Sequence, residues 1–287
     1  MSLRIIHFSF FGYLLGARVV APDWLVGETQ QVEQSSGETN SVNGMKLEME
    51  QVHEETGETD SVKGKELTTK RGKKPPLNFL AILFDANITL DTSSPDKLCD
   101  ELYAGVFLKK NTLASSISIS PHKYFVDKKL NKNCFEMFAR ELYICWAEDP
   151  QYWQWTKEKD TRGEDIEVAK LVDVCWLEIQ GTFRTIDLSL GTVYEVVFIV
   201  KMLKHNSWFG EENNSVTLTI ILPRSKSLTR NEKLNKKPCE EWIEIQVGEF
   251  IISPENVGDI TFKLDDRSSR WKTGLVLKCA IIRPKNY

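Results

Sequence analysis

The chain has 287 residues, a length for one large or about two ordinary domains. With 41% hydrophobic and 10% aromatic residues it can build a real core. A net charge of -4 excludes both a global basic field for nucleic acid and a strongly acidic scavenger.

The first segment, residues 1–26, carries an apolar run of signal-peptide length between Arg4 and Arg18. His7 and Ser9 interrupt it and no small-x-small cleavage site follows, so the segment stays unassigned, Trp24 included. Two glycosylation acceptors, at Asn87 and Asn213, matter only in a secreted chain. Residues 27–74 are polar and contain a short repeat: GETNSVNG from Gly37, GETDSVKG from Gly57, and a partial GET at Gly27. Acids dominate to Glu66, and Lys70, Arg71, Lys73 and Lys74 follow. Such a segment cannot bury enough apolar surface to offset chain entropy, so it is expected to be a disordered acidic linker.

Pro75-Pro76 closes the linker, and residues 75–122 are expected to form a small helical adaptor. Ser94 can cap a helix, Pro95 suits its first position and Asp96 its first turn. Leu98, Leu102 and Val106 recur at spacing four, with Cys99 and Tyr103 beside them.

From about Tyr124 the apolar period changes to two. Strands are expected over residues 134–146, 172–179, 192–202, 215–222, 242–247, 260–264 and 275–282, punctuated by Gly and Pro. Many short strands argue for a mainly β chain, an antiparallel sandwich over residues 123–287. Segment 172–179 is apolar on both faces and reads as central. Trp176, Trp242 and Trp271 read as core or near-core.

Cys99, Cys134, Cys145, Cys175, Cys239 and Cys279 are scattered, with no CxxC pair. They read as buried free thiols in a reducing compartment. His7, His53, His122 and His205 lie far apart, so no metal cluster or Cys–His pair is visible, and no cofactor is expected. No apolar run is long enough to insert across a bilayer.

The stretch YICWAEDPQYWQW, residues 143–155, is the richest in chemistry. Leu142, Ile144 and Trp146 share one strand face, and a turn at 147–150 should follow. Trp146 and Trp153 then flank a loop at one end of the sandwich. Rings beside a turn and near acids suit a sugar, whose apolar face stacks on the ring and whose hydroxyls donate to carboxylates. Core packing is the competing reading for each ring.

Residues from Asn133 to the C-terminus resemble the phloem protein 2 family of plant lectins. The likeness runs in order through ARELYICWAEDPQYWQW, IEVAKLVDVCWLEIQG, LGTVYEVVFIVKM, EEWIEIQVGEF, VGDITFKL and WKTGLVLKCAIIRPK. DELYAGVFL and KYFVDKKLNKNCF resemble the extension of phloem-type members. The resemblance implies a jelly-roll-like sandwich without catalysis that binds N-acetylglucosamine oligomers and the N-glycan cores of glycoproteins. It also implies synthesis without a signal peptide, hence a cytoplasmic or nuclear protein of phloem cells. The two tryptophans assigned to the sugar site in tobacco-type members fall on Trp146 and Trp153. The two glutamates fall on Asp259 and Asp266, each shortened by one methylene, with Asp265 as a substitute for Asp266.

Other readings stand beside it. RNA is a partner for some phloem members, but single-strand binding wants basic residues between the rings, and here Glu148 and Asp149 sit there. A structural or defence protein acting through self-association, such as a homodimer, is the third. Hydrolysis is not expected: Asp259 and Asp266 are seven residues apart in a strand and face opposite sides, and Glu148 and Asp149 also diverge.

Overall fold

The computed structural model describes residues 74–76, 78–83, 90–91, 93–108, 122–225 and 227–286. The apolar run at 4–18, Trp24, the acidic repeats and Asn87 lie outside the described residues.

Among the described residues two short helices come first: α1 (Phe79–Leu83) and α2 (Pro95–Ala104). Ser94 caps α2, its hydroxyl accepting from the Lys97 N–H at 3.3 Å. Leu98, Cys99 and Leu102 are buried, and α2 packs on the strand at His122–Asp127. Gly105, at φ 90, ends the helix. A Cβ there would stand 2.5 Å from the Lys123 side chain, so the turn is tied to glycine by contact as well as by φ. Val106, the last member of the expected helical stripe, is therefore the first residue of a strand.

Thirteen strands follow among the described residues: β1 (Val106–Leu108), β2 (His122–Asp127), β3 (Lys132–Phe138), β4 (Tyr143–Ile144), β5 (Trp153–Lys159), β6 (Asp165–Leu171), β7 (Leu177–Arg184), β8 (Val193–Ser207), β9 (Val216–Ile221), β10 (Ser227–Glu232), β11 (Trp242–Ile251), β12 (Asp259–Asp266) and β13 (Thr273–Pro284). They form two antiparallel sheets, as expected of a β-sandwich. The five-stranded sheet runs β10-β9-β12-β7-β4. The eight-stranded sheet is organised on β13, which pairs with β8 along one side, and β8 with β11. On its other side β13 pairs with β3 near its C-terminal end and with β6 nearer its start.

The core lies between the sheets. Tyr194, Val196, Phe198 and Val200 of β8 are buried, as are Ile260, Phe262 and Leu264 of β12. The rings of Phe198 and Phe262 meet at 5.7 Å between centroids. Gly181 admits the Phe262 ring, since a Cβ there would lie 2.2 Å from it.

The expected strand boundaries fail where the chain changes sheets. Residues 134–146 are not one strand. β3 belongs to the eight-stranded sheet and β4 to the five-stranded one, and a 3₁₀ turn (Ala139–Glu141) carries the chain between them. Likewise 172–176 is a crossing segment held by one bridge, Val174 to Lys272, and the strand begins only at Leu177. β5 and β10 are edge strands. Each pairs on one side only, and in both the apolar alternation is weak.

All six thiols are free. Burial was expected for all of them. Cys99, Cys134 and Cys279 are buried, Cys145 and Cys175 are half-buried at the sheet crossings, and Cys239 is exposed.

Candidate functional site

The loop after β4 is built by short-range hydrogen bonds. The Cys145 N–H donates to the Glu178 carbonyl at 2.9 Å, prolonging the β4–β7 pairing by one step. Ala147 N–H then bonds to Ile144 O (3.2 Å), and Asp149 N–H to Trp146 O (3.1 Å). The Asp149 carboxylate accepts from the Gln151 N–H at 2.9 Å, closing the turn. Trp146 itself has φ 64. A left-handed backbone costs a bulky residue about 1–3 kcal/mol, and such conformations cluster at ligand clamps. The reversal turns Trp146 off the strand face it was expected to share with Leu142 and Ile144. Those two are buried, and Trp146 is 59% exposed, its ring tilted on Tyr152 at 5.9 Å. An open depression of about 850 Å³ lies along the loop, lined among others by Tyr143, Trp146, Glu148 and Pro150.

Trp153, expected to face a ligand, is instead a core residue. It is 1% exposed and its indole N–H donates to the Cys145 carbonyl at 3.0 Å. The alternation along β5 turns Trp153 inward and Gln154 outward. Trp155 repeats the motif: its N–H donates to the Ala147 carbonyl at 3.0 Å, and the Arg140 guanidinium lies 3.6 Å from its ring centre.

The two proposed acids do not meet. Asp259 opens β12 opposite Arg184, and Asp266 closes it opposite Leu177. Seven strand steps separate them by about 23 Å. The Trp146 loop adjoins the Leu177 end of β7, so Asp259 is at the wrong end of the sheet. Asp266 is at the right end but is committed to the fold. It accepts from Ser268 N–H (2.8 Å) and Ser268 Oγ (3.1 Å) and pairs with Lys272 Nζ at 3.2 Å. Lys272 is fully buried. Its ammonium also donates to the carbonyls of Cys175, Ser268 and Arg270 and lies over the Trp208 ring.

Asp265, one residue earlier, has the opposite alternation and faces out. It stands opposite Glu178 in the β12–β7 register. The Glu178 carboxylate accepts from the Trp176 indole N–H at 3.3 Å and pairs with Arg267 at 3.2 Å. The Arg267 guanidinium lies 5.1 Å from the Trp176 ring centre and 3.9 Å from the Asp265 carboxylate. Burial pushes the Asp265 carboxyl above its ordinary range, opposed by Arg267 and reinforced by Glu178 and Asp266. Tyr143, on the neighbouring strand, is exposed and opposite Gln180.

Trp176 was expected in the core and is 48% exposed, because it precedes the first residue of β7 rather than lying mid-strand. Trp271, read the same way, is also exposed, whereas Trp242 is half-buried with Lys201 over its face at 4.2 Å. Three exposed rings, Tyr143, Trp146 and Trp176, thus share one end of the five-stranded sheet with Glu178, Asp265 and Arg267. Among these, sequence reasoning assigned Trp146 and held Asp265 as a substitute. The missed signal is the Leu177–Arg184 alternation, which leaves Glu178 and Gln180 on the open face beside Tyr143.

These features define an antiparallel β-sandwich with aromatic faces and carboxylate acceptors gathered at one end. The family model for phloem protein 2 matches residues 132–284. An Arabidopsis thaliana relative, Protein PHLOEM PROTEIN 2-LIKE A1, is 40% identical over 215 residues, covering 74% of this chain and 82% of its own. A Luffa acutangula protein named Lectin is 35% identical over 190 residues, covering 66% of this chain and 84% of its own. The chain belongs to the phloem protein 2 family.

Among the described residues, no helix is long and apolar enough to cross a membrane, and no group of three or more His, Cys, Asp or Glu is placed to hold a metal.

Proposed function

We propose that the protein is a phloem lectin that binds N-acetylglucosamine oligomers and N-glycan cores, without catalysis, at the Tyr143–Trp146–Trp176 end of the sandwich. The observation that carries this reading is Trp146, a large ring held in solvent on a left-handed backbone beside a second exposed ring, Tyr143. A pyranose stacked on Trp146 gains about 1 kcal/mol beyond its buried area. Hydroxyls donating to the charged acceptors Glu178 and Asp265 add about 1.5–3 kcal/mol each. The Luffa relative's name points the same way. The lectin domain is read as residues 123–287, with 75–122 as its adaptor. Six free thiols favour a reducing compartment, cytosolic or nuclear, within phloem cells.

Titration calorimetry of the full chain with chitotriose tests this. Trp146→Ala should lower affinity about tenfold with the circular dichroism spectrum unchanged. Unaltered binding in that folded variant would move the site elsewhere. RNA as the ligand requires affinity that falls steeply with salt. Glu148, Asp149, Glu178 and Asp265 beside the rings oppose a phosphate backbone.

A further inference from the structure

The residues flanking Trp146 are held in the same way. Cys145 O accepts from the Trp153 indole, and Ala147 O accepts from the Trp155 indole, each at 3.0 Å. The two donors come from one face of β5, two residues apart. Both carbonyls on either side of the left-handed residue are therefore held by bulky side chains, Trp153 buried and Trp155 half-buried under Arg140. Behind Trp155 the support continues. Arg140 stacks on its ring, and the same guanidinium makes a two-pronged contact with Glu167 of β6, at 3.0 and 3.1 Å. Arg140 also lies 3.7 Å from Glu148 within the loop itself. Glu167, Arg140 and Trp155 thus form a chain from the sheet to the backbone beside Trp146. The Trp146 carbonyl accepts within the turn from the Asp149 N–H, and the carbonyls on either side of it are held from β5.

We infer that Trp153 and Trp155, backed by Arg140 and Glu167, are positioning residues: a two-indole clamp that keeps Trp146 in the one backbone state that presents its ring to a sugar. This rests on the reading of Trp146 as the stacking platform. It assigns Trp153, expected from the resemblance to touch sugar, a role through Trp146. A clamp of this kind removes the alternative in which Trp146 relaxes to an ordinary backbone and swings onto the strand face, so the bound geometry is prepaid. A structural role alone would leave glycan affinity untouched in any variant that folds.

Trp155→Phe makes the test. It keeps an aromatic ring under Arg140 and deletes the N–H to Ala147 together with the fused five-membered ring that carries it. The full chain, labelled with 5-fluorotryptophan, is followed by fluorine NMR, and the Trp146 resonance is identified by its loss in Trp146→Phe. The expected parent spectrum has one narrow Trp146 line. In Trp155→Phe that line should broaden or split, and chitotriose affinity should fall about fivefold with the folded spectrum retained. If Trp155→Phe does not fold, Arg140→Gln serves, since it leaves the indole N–H and removes its stacked support; the same changes are expected at smaller amplitude. An unchanged Trp146 line, or parental affinity, in the folded variant overturns the clamp. If instead Trp146→Ala binds chitotriose like the parent, it is the glycan reading that fails, and the fluorine line still decides whether the clamp exists.

Discussion

The two ends of β12 show the same sheet solving different problems. At the Asp266 end, exposed apolar surface is aromatic and is interleaved with partnered charge: Tyr143, Trp146 and Trp176 beside Glu178, Asp265 and Arg267. At the Asp259 end, exposed apolar surface is aliphatic, with Ile186, Leu190 and Val257 on neighbouring loops and Ile251 closing β11. Those loops are tied together through their backbones, by Thr185 N–H to Gly258 O and Gly191 N–H to Ile252 O, both at 2.9 Å. The lesson is that exposure alone does not make a surface suited to a sugar. An aliphatic tip offers no flat π face to a pyranose. What sets the first end apart is the conjunction of flat rings, acceptor oxygens and a left-handed tryptophan.

The largest effect expected from breaking this contrast is on stability, behind the rings rather than on them. Trp153→Ala should destabilise the domain by about 3–5 kcal/mol, as for other large buried rings, measured by urea denaturation. Lys272→Ala should cost about 3 kcal/mol, because it removes the cation paired with Asp266 and the donor to three carbonyls. A loss below about 1 kcal/mol in either would show that the ring or the ammonium does not hold this end together.

Trp146→Gly should separate binding from folding. Glycine tolerates φ 64, so stability should stay within about 1 kcal/mol of the parent while chitotriose affinity drops about tenfold. A fall in stability of several kcal/mol would mean that the ring is packed after all.

Asp265→Asn sharpens the electrostatic side. Burial raises the folded carboxyl's pKa above its ordinary value. The stability linked to its protonation is therefore present at low pH and lost as pH rises through the folded pKa. At neutral pH the Asn variant should thus be as stable as the parent or more so, yet bind glycan more weakly. Affinity that needs the ionised form should decline in the parent as pH falls through that raised pKa, and the two proteins should converge there. Calorimetry from pH 7 downward reads both, and parental binding in Asp265→Asn at pH 7 would remove this carboxylate from the site.

The smallest effect belongs to the other end. Asp259→Asn and Ile186→Ser should each alter stability by less than about 0.5 kcal/mol and leave chitotriose binding unchanged. Weakened binding in Asp259→Asn would reopen the remote end of β12 as part of the site.

The β class, the helix at Ser94 and the turn that carries the rings around Trp146 were legible in the sequence because each rests on local order. Strand alternation, an N-cap with a following proline, and a dense run of rings around a turn are all properties of neighbours in the chain. Family resemblance extended this to a lectin fold, and the match over residues 132–284 agrees. The distribution of roles among the rings and acids was decided by tertiary structure. Trp146 and Trp153 differ by seven residues and share a motif, yet one is 59% exposed and the other 1%. Asp265 and Asp266 are adjacent, yet one faces the rings and the other accepts from Ser268 and pairs with a buried lysine. The physical reason is sheet switching. At 139–142 and again at 172–176 the chain leaves one sheet for the other, and at each crossing the alternation that relates neighbours is reset by partners distant in sequence.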